Sequence, residues 1–254
     1  MTTLEERRRT IAELVTKHGG LSVEELAEQL SVSESTVRRD LRDLADRQLV
    51  ERTHGGAVPV TAVGVAQTFD RRVVQQLNRK QAIAEQAVKE IQDGQVVYFD
   101  AGTTTIQIAA AAPTDCEFIA VTNSPLFAPD LASGDATVKL TGGEFSEETK
   151  ALTGPTTESY IRASNFDLAF LGVNGIEPDG TLSAPNEAEA CLKRLVAANT
   201  SRTVAVTVTE KFGDRSFRRF GSIDDIDVLV TDGRVPDDFR ELFAEIELVE
   251  DAYG

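Results

Sequence analysis

Apolar residues in the first sixty positions recur at helical spacing in three short stretches. The first spans residues 4–15 and should end at the glycine pair at 19–20, because glycine interrupts helices. Ser22, followed three positions later by Glu25, is a capping-box pattern that opens a second helix. Ser33 can cap a third helix whose apolar residues form one face. The pattern predicts a small helical domain at the beginning of the chain.

The outward face of the third predicted helix carries hydroxyl and guanidinium groups. Such groups bind base edges and phosphates when the second helix of a helix-turn-helix enters a major groove. After this helix, residues 49–52 alternate like a strand, and a glycine pair permits the tight turn of a wing. The candidate DNA-binding residues are Ser35, Thr36, Arg38, Arg39, Arg42, Arg52, His54, Gly55 and Gly56. In the alternative interpretation, the arginines form only a solvated face, paired with Asp40, Asp43 and Asp46.

From residue 69 onward, apolar stretches alternate with helical segments. Residues 59–68 lack periodicity and charge, which is typical of a linker, and residues 69–93 predict one long helix. Strands are predicted at 96–99, 118–121, 137–140, 168–171, 204–208 and 228–230, and helices near 104–112, 125–133, 186–198 and 237–243. Continuous β-branched runs separated by helices are typical of parallel sheets. The predicted fold class is an α+β winged helix-turn-helix head followed by an α/β domain with a mostly parallel sheet.

Small hydroxyl, amide and glycine residues follow four of the predicted strands. Ligands of open parallel sheets bind at the carboxyl ends of the strands. Groups of this kind suit the phosphate and hydroxyls of a small polyol phosphate. The candidate ligand-binding residues at these ends are Asp100, Gly102, Thr103, Thr104, Thr105, Thr122, Asn123, Ser124, Gly142, Gly143, Gly172 and Gly175. Each motif alone also fits a helix cap or a turn, but their recurrence at corresponding places favours a binding site.

Two further candidates for ligand binding lie outside this pattern. Lys211 follows the strand at 204–208 and can supply a positive charge for a phosphate, although a surface lysine is the ordinary interpretation. Glu189 lies on the helix at 186–198, four residues before Lys193. The alternative for Glu189 is an exposed ion pair with that lysine, worth only about 0.3–0.5 kcal/mol.

Composition limits the class of protein. The chain has 254 residues and a mass of 27.5 kDa, which suits one or two domains. No stretch approaches the roughly 18 uncharged apolar residues of a membrane span, and the N-terminus lacks the apolar core of a secretory signal. We therefore expect a cytoplasmic protein without membrane contact. Its two cysteines form no CxxC pair, so we expect no disulfide framework, no metal site and no cofactor.

The charge of the chain is strongly skewed. Its net charge is −16, and its basic residues are 19 arginines and 7 lysines. Abundant carboxylates with few lysines are typical of a protein kept soluble in multimolar salt, where the Debye length is about 3 Å. Residues 1–60 hold 9 basic and 11 acidic residues, so the predicted head is nearly neutral. An ordinary acidic enzyme remains the alternative interpretation.

Two groups of motifs resemble the DeoR family of transcriptional regulators. In the head, the resemblance rests on residues 33–44, SESTVRRDLRDL, and 49–57, LVERTHGGA. In the rest of the chain it rests on the segments DAGTT at 100–104, VTNS at 121–124, LTGG at 140–143, FLGVNG at 170–175 and KFG at 211–213. Together these motifs span nearly the whole chain.

The resemblance implies a domain organisation and a function. It implies a DNA-binding head at residues 3–58 with its helix-turn-helix at about 20–39, a linker at 59–68, and a sensor at 69–254. The sensor would share the fold of ribose-5-phosphate isomerase, and its Gly-Thr-Thr loop would take the phosphate of a sugar metabolite. A homo-oligomer would bind palindromic operator DNA and repress genes of sugar or glycerol catabolism, such as fructose or glucose utilisation, until that effector releases it.

The chain departs from the family pattern at two places, and two other functions stay open. Residues 208–210 are Val-Thr-Glu where the family often has Asp-Ser-Ser, and Cys191 stands where a glutamate is common. An isomerase-like enzyme with an attached head is one alternative, for which Asp100 and Glu189 are the available carboxylates. Asn174 cannot act as a base, and Glu177 precedes a turn expected at the surface. An activator or dual regulator would carry the same residues as a repressor.

Overall fold

The computed structural model describes residues 4–18, 21–47, 49–52, 55–58, 69–244, 246–250 and 252–253. The chain forms two compact units, Met1–Leu77 and Asn78–Gly254, which we call the head and the sensor. His54 and the predicted linker at 59–68 lie outside the described residues.

The head is a winged helix-turn-helix, as predicted. Its elements are α1 (Leu4–His18), β1 (Leu21–Ser22), α2 (Val23–Leu30), α3 (Glu34–Asp46), β2 (Glu51–Arg52), β3 (Gly56–Val58) and α4 (Phe69–Val74). The three strands form an antiparallel sheet in the order β1-β3-β2. Apolar side chains of α1, α2, α3 and the wing pack into one core that includes Ile11, Leu26, Val37 and Leu41.

The predicted capping residues set the geometry of the helix-turn-helix. Ser22 and Glu25 form both hydrogen bonds of a capping box at the start of α2. Ser31 ends α2 in the left-handed conformation, with φ of 52°, and Ser33 caps α3 by accepting the Thr36 N–H. The short turn between these caps fixes the direction in which α3 leaves α2, and so confirms the predicted motif.

The sensor is an α/β domain, as predicted. Its helices are α5 (Leu77–Ala87), α6 (Thr105–Ala110), α7 (Ala128–Leu131), α8 (Pro155–Arg162) and α9 (Glu187–Ala198), and α5 begins at the last residue of the head. Its strands are β4 (Val96–Phe99), β5 (Ile119–Thr122), β6 (Thr137–Leu140), β7 (Glu144–Ser146), β8 (Ala151–Thr153), β9 (Phe166–Gly172), β10 (Gly175–Ile176), β11 (Thr181–Ala184), β12 (Thr200–Thr207), β13 (Arg218–Ser222), β14 (Val228–Thr231) and β15 (Glu247–Val249). Short 3₁₀ helices occupy Val88–Glu90, Pro125–Phe127, Thr209–Lys211, Ile223–Asp225 and Asp237–Phe243.

Seven parallel strands form the central sheet in the order β15-β14-β12-β9-β4-β5-β6. From β4 the chain builds outward through β5 and β6, and then returns to the other side of β4 to form β9. The order of strands therefore reverses between β4 and β9. Open parallel sheets bind ligands at the carboxyl ends of the strands at such a reversal.

Helices cover both faces of this sheet. On one face, Ile83 and Ala87 of α5 pack with Val97 and Phe99 of β4. On the other face, Tyr98 of β4 packs in a separate cluster with residues of α8 and α9. Successive residues of a strand point to opposite faces. Helices α5 and α9 therefore approach the end of β4 from opposite sides.

The structure corrects several predicted elements. The single helix predicted at 69–93 is interrupted, since α4 ends at Val74, Gln76 has a left-handed φ of 54°, and a 3₁₀ turn follows α5. The helix at 237–243 is a 3₁₀ helix, and that predicted at 125–133 is a 3₁₀ turn followed by one turn of α-helix. Four features have no counterpart among the predicted elements: helix α8, the antiparallel β7-β8 hairpin, the antiparallel β10-β11-β13 sheet and the edge strand β15. Within the described residues, no helix combines the length and apolarity needed to cross a membrane.

Candidate functional site

The outward face of α3 carries the predicted DNA-reading side chains. Ser35 and Thr36 lie at its N-terminal end, and each hydroxyl is 2.9 Å from the Ser33 hydroxyl. Arg38 is exposed and pairs with Glu34 at 2.7 Å, one turn earlier in α3.

Two further arginines complete this face. Arg39 and Arg42 are also exposed, and neither makes an ion pair within the part of the chain that the structure describes. The face therefore offers two guanidinium groups without a competing carboxylate.

A buried carboxylate holds α3 against α1. Asp40 is fully buried and accepts hydrogen bonds from Arg7 at 2.7 Å and from Arg8 at 3.2 Å. Asp43 pairs with Arg8 and Arg47 rather than with the exposed arginines. The alternative in which these aspartates neutralise the face of α3 is therefore wrong for Asp40 and Asp43, which bind arginines outside that face.

The wing is described in part. Arg52 is exposed at the end of β2, and Gly55 is exposed with open space around its Cα. Gly56 is buried and leaves no room for a side chain. A Cβ there would overlap the Leu21 carbonyl oxygen and lie 2.7 Å from Ser22 Cα. Close packing of β3 on β1 accounts for Gly56 without any DNA contact.

A buried ion pair lies where the strand order of the sensor reverses. Asp100, at the end of β4, is 3% exposed, and Lys193 of α9 is 2% exposed. Lys193 Nζ donates to Asp100 Oδ2, which also accepts the Gly172 N–H at the end of β9 at 3.2 Å. Lys193 Nζ lies 5.8 Å from the centre of the Phe220 ring. The pair places opposite charges side by side at the predicted ligand position.

The Gly-Thr-Thr loop faces a second buried lysine. Lys80 of α5 donates to Thr103 Oγ1 at 3.1 Å. Thr105 is buried and donates to the carbonyls of Asp100 and Gly102, so its hydroxyl closes the loop. Thr104 precedes α6 without a side-chain cap bond. Thr103 and Lys80 thus bring a hydroxyl and an ammonium group together.

The polar residues after β5 brace the loops. Thr122 Oγ1 donates to the Phe99 carbonyl at 2.8 Å and accepts the Ser124 N–H. Asn123 accepts the Ala101 N–H at 3.0 Å and donates to the Leu152 carbonyl, and Ser124 Oγ donates to a carbonyl of the β7-β8 hairpin. All three are buried. Their hydrogen bonds fix the backbone beside Asp100.

Three of the predicted glycines are explained by close packing or backbone conformation. Gly142 and Gly143 have φ of 71° and 122°, a region that favours glycine. A Cβ at Gly143 would overlap Thr157 Oγ1, and one at Gly175 would lie 2.5 Å from the Asp214 carbonyl oxygen. At Gly172, in contrast, a Cβ would meet Asp100 Oδ2 only at an ordinary 3.5 Å.

Of the two remaining candidates, Lys211 fits its ordinary interpretation and Glu189 does not. Lys211 pairs with Asp214 at 3.1 Å on the surface, as a surface lysine does. Glu189 is buried, and its carboxylate accepts a hydrogen bond from the Asn186 side-chain amide at 3.0 Å. Its backbone N–H donates to the side-chain oxygen of Asn186, which caps α9. The exposed Glu189–Lys193 ion pair is therefore a wrong alternative, because both residues are buried and the lysine pairs with Asp100.

Glu177 precedes the turn predicted at the surface. The turn after it is exposed, but Glu177 itself is 2% exposed and binds Arg219 and Arg215. The turn lies at the surface, as expected, whereas these guanidinium groups cover the carboxylate of Glu177.

The sequence analysis missed Lys80 and Lys193 as site residues. Both are lysines in a chain that has only seven, and both lie on helices with buried apolar neighbours. A lysine on the buried side of a helix is unusual unless it has a polar partner. The scarcity of lysine and the position of these two among apolar residues were the sequence signals that could have identified them as site residues.

The two departures from the family pattern make different contacts. Glu210 pairs with Arg79 of α5, which also binds the buried Asp232 at 3.3 Å. Cys191 lies on α9 near Glu158 of α8, and burial together with that carboxylate raises the pKa of the Cys191 thiol. Among the described residues, no group of three or more histidine, cysteine or carboxylate side chains could hold a metal ion.

Comparisons with known proteins agree with this architecture. The family described as the DeoR-like helix-turn-helix domain matches residues 7–63. The family described as the DeoR C terminal sensor domain matches residues 75–233. These two matches fall on the winged head and on the parallel sheet.

Curated relatives match along nearly their whole length. The HTH-type transcriptional regulator GlpR of Haloferax volcanii is 50% identical over 236 residues, covering 93% of this chain and 92% of that protein. The glycerol-3-phosphate regulon repressor of Escherichia coli is 34% identical, covering 91% and 92%. A solved ribose 5-phosphate isomerase of Methanocaldococcus jannaschii has a TM-score of 0.37 at 14% identity, covering 52% of this chain and 53% of that one. The match to a protein of Haloferax, a halophile, fits the acidic, lysine-poor composition of this chain.

Proposed function

The chain belongs to the DeoR family of transcriptional regulators, and from this we propose that it represses genes of sugar or glycerol catabolism until a phosphorylated sugar releases it. The observation that carries the proposal is the pairing of a DNA-reading face with a polar, lysine-bearing site at the strand reversal of the sensor. The printed name of the Escherichia coli relative, a glycerol-3-phosphate regulon repressor, supports this class of effector and target.

The head would bind operator DNA through α3. Arginine binds guanine through two parallel hydrogen bonds, so Arg39 and Arg42 would read bases while Ser35, Thr36 and the wing residue Arg52 position the backbone. Asp40 supports this role by anchoring α3 from behind. Two copies would bind the two halves of a palindromic operator. In multimolar salt, counterion release contributes little, so base contacts must supply more of the affinity.

The sensor would bind the effector with its phosphate toward Lys80 and Thr103. The Lys80 ammonium group and the Thr103 hydroxyl are 3.1 Å apart, so both can donate hydrogen bonds to the oxygens of one phosphate. The sugar hydroxyls would then reach Asp100 and Lys193, which offer an acceptor and a donor. The buried residues after β5 would hold this arrangement in place without contacting the ligand.

Helix α5 would couple the two events. Its first turns carry Lys80, which contacts the Gly-Thr-Thr loop, and Arg79, which pairs with Glu210 and Asp232 after β12 and β14. The same helix follows directly from the head segment in the chain. A phosphate bound between Lys80 and Thr103 would displace the start of α5, and this shift would favour a head arrangement that no longer fits the operator.

Selection of bound genomic fragments tests the DNA-binding half of the proposal. The purified full chain is incubated in multimolar potassium chloride with genomic fragments of its host, and the bound DNA is sequenced. We expect one palindrome to be enriched. Arg39→Ala should weaken binding to it by about 1–3 kcal/mol, the value of one bidentate base contact. The matched control Arg9→Ala changes an exposed arginine of α1 and should leave the affinity unchanged.

Calorimetry with single sugar phosphates tests the sensor half. Glycerol phosphate, fructose phosphates and hexose phosphates are titrated into the wild type, Lys80→Met and the control Lys89→Met, which alters an exposed lysine beyond the same helix. At least one compound should bind the wild type and the control equally, and Lys80→Met more weakly. Equal binding to all three proteins would contradict the assignment of the phosphate to Lys80.

We also propose that the chain does not catalyse isomerisation. Isomerisation of a phosphosugar needs a carboxylate that is available as a base. Asp100 is engaged by Lys193, Glu189 by the Asn186 side-chain amide, and Glu177 by two arginines. A turnover assay on pentose and hexose phosphates should show no reaction above buffer, and measurable isomerisation would contradict a purely regulatory role.

A further inference from the structure

A loop before β13 presents an exposed aromatic ring between arginines. We call residues 215–219 the arginine loop. Phe217 is 74% exposed, more than any other large apolar residue that the structure describes. The side chains of Arg215, Arg218 and Arg219 are 70%, 52% and 59% exposed. Aromatic and arginine side chains are the types most enriched at the centres of protein interfaces.

Buried side chains of neighbouring segments anchor the arginine loop. The buried Glu177 binds Arg219 through two hydrogen bonds of 2.9 and 3.2 Å, and Arg215 at 2.6 Å. Between these anchors, the Ser216 N–H donates to the Ser183 hydroxyl of β11 at 2.9 Å. Anchors on both sides fix Phe217 in its exposed position. Little conformational freedom would therefore be lost when a partner covers it.

The same strand carries opposite charges at its two ends. Arg218 and Arg219 begin β13, while the exposed Asp224 and Asp225 follow its last residue. A strand rises about 3.3 Å per residue, so the basic and acidic ends are separated by roughly 15–20 Å. Such a pattern is complementary to itself when a second copy lies antiparallel to the first. A two-fold axis through the middle of β13 would bring each basic end to the other copy's acidic end.

We propose that residues 215–225 form a two-fold contact between the sensors of two copies of this chain. In this contact, Arg218 of one copy binds Asp224 of the other, and Phe217 is covered. The occupant is a second copy because the basic start and the acidic end of β13 are complementary under a two-fold axis. The pair that Arg218 makes with Glu187 at 3.5 Å is exposed, so Arg218 can exchange that partner for the other copy's carboxylate. Each exposed ion pair is worth little in multimolar salt, but the two-fold axis makes the pair twice, and covering Phe217 adds apolar burial. The proposal rests on the oligomeric regulator proposed above.

A charge swap tests this contact. The mass of the full chain is followed by sedimentation equilibrium in multimolar potassium chloride, without DNA or effector. Phe217→Ser, Arg218→Asp and Asp224→Arg should each raise the dissociation constant of the contact at least about tenfold. The double variant Arg218→Asp, Asp224→Arg should recover to within about threefold of the wild type, because the pair is restored with its signs exchanged. The control Phe145→Ser removes another exposed ring and should change nothing.

Three results would overturn the proposal. They are a monomeric wild type, single variants with the wild-type mass distribution, and a double variant no better than the single ones. Variants that keep their mass but lose operator affinity would instead show that the arginine loop contacts DNA. Operator binding is measured separately, so failure of this contact is distinguishable from failure of the proposed function.

Discussion

Removing the positive member of the buried ion pair in the sensor should destabilise that domain strongly. Lys193→Met keeps the length and apolar stem of the side chain but removes the ammonium group beside Asp100. Among the described residues, the carboxylate, 3% exposed, would then retain only the Gly172 N–H at 3.2 Å as a partner. Breaking a buried pair by removing one partner costs about 3–5 kcal/mol, because the other charge is left uncompensated.

A double variant separates this cost from lost packing. Asp100→Asn together with Lys193→Met removes both charges of this pair, and replacing a whole pair by neutral groups is often close to neutral. We therefore expect the double variant to be more stable than Lys193→Met by at least about 2 kcal/mol. The control Lys139→Met removes an exposed lysine of β6 and should change stability by less than about 0.5 kcal/mol.

Intrinsic fluorescence gives a readout confined to the sensor. The chain has no tryptophan, and its three tyrosines, at 98, 160 and 253, all lie in the sensor. Thermal unfolding in multimolar potassium chloride should show a midpoint lowered by about 6–12 °C for a loss of roughly 3 kcal/mol. A Lys193→Met protein within about 0.5 kcal/mol of the wild type, or strictly additive single variants, would refute the reasoning.

Further predictions concern the head, the loops and the core of the sensor. Asp40→Asn should weaken operator binding while leaving effector affinity unchanged, because it removes the buried negative charge that pairs α3 with Arg7 and Arg8; titrations of labelled operator and of sugar phosphate check both. Gly143→Ala should destabilise by more than about 2 kcal/mol in thermal unfolding, since φ is 122° and a Cβ would overlap Thr157, whereas Gly172→Ala should cost under about 1 kcal/mol. Tyr98→Phe should be neutral or stabilising by up to about 1 kcal/mol, because its buried hydroxyl has no hydrogen-bond partner among the described residues. Burial and the nearby carboxylate raise the pKa of Tyr98 well above its usual value, so wild-type stability should fall above about pH 10, where the unfolded phenol ionises, and the phenylalanine variant should lose that part of the decline.

Local signals were sufficient to predict the head. Helix α2 follows a capping box, and α3 follows a serine cap, so their starts depend on residues within one turn. The central strands were also predictable, because strands buried on both faces are continuous apolar runs. The small β10-β11-β13 sheet was not, since β10 has only two residues and β11 pairs with β13 across the intervening α9 and β12.

The candidate site was predictable only in part. The strand ends could be placed from the sequence, but which side chains face a ligand depends on distant contacts. The sequence predicts Asn123 as a ligand-binding residue, but its side-chain amide is hydrogen-bonded to the backbone of Ala101 and Leu152. Lys193, 93 residues from Asp100, looks like an exposed helical lysine until the fold brings the two together. Long-range packing of this kind leaves no periodic signal.

The most direct test of the account is the affinity for the selected operator with and without a sugar phosphate. The full chain is titrated into labelled operator in multimolar potassium chloride, alone and with each phosphate or its unphosphorylated sugar. The account predicts that one phosphorylated compound raises the dissociation constant at least about tenfold, a coupling of roughly 1.4 kcal/mol, while its sugar has no effect. An operator affinity that no sugar phosphate weakens would contradict it.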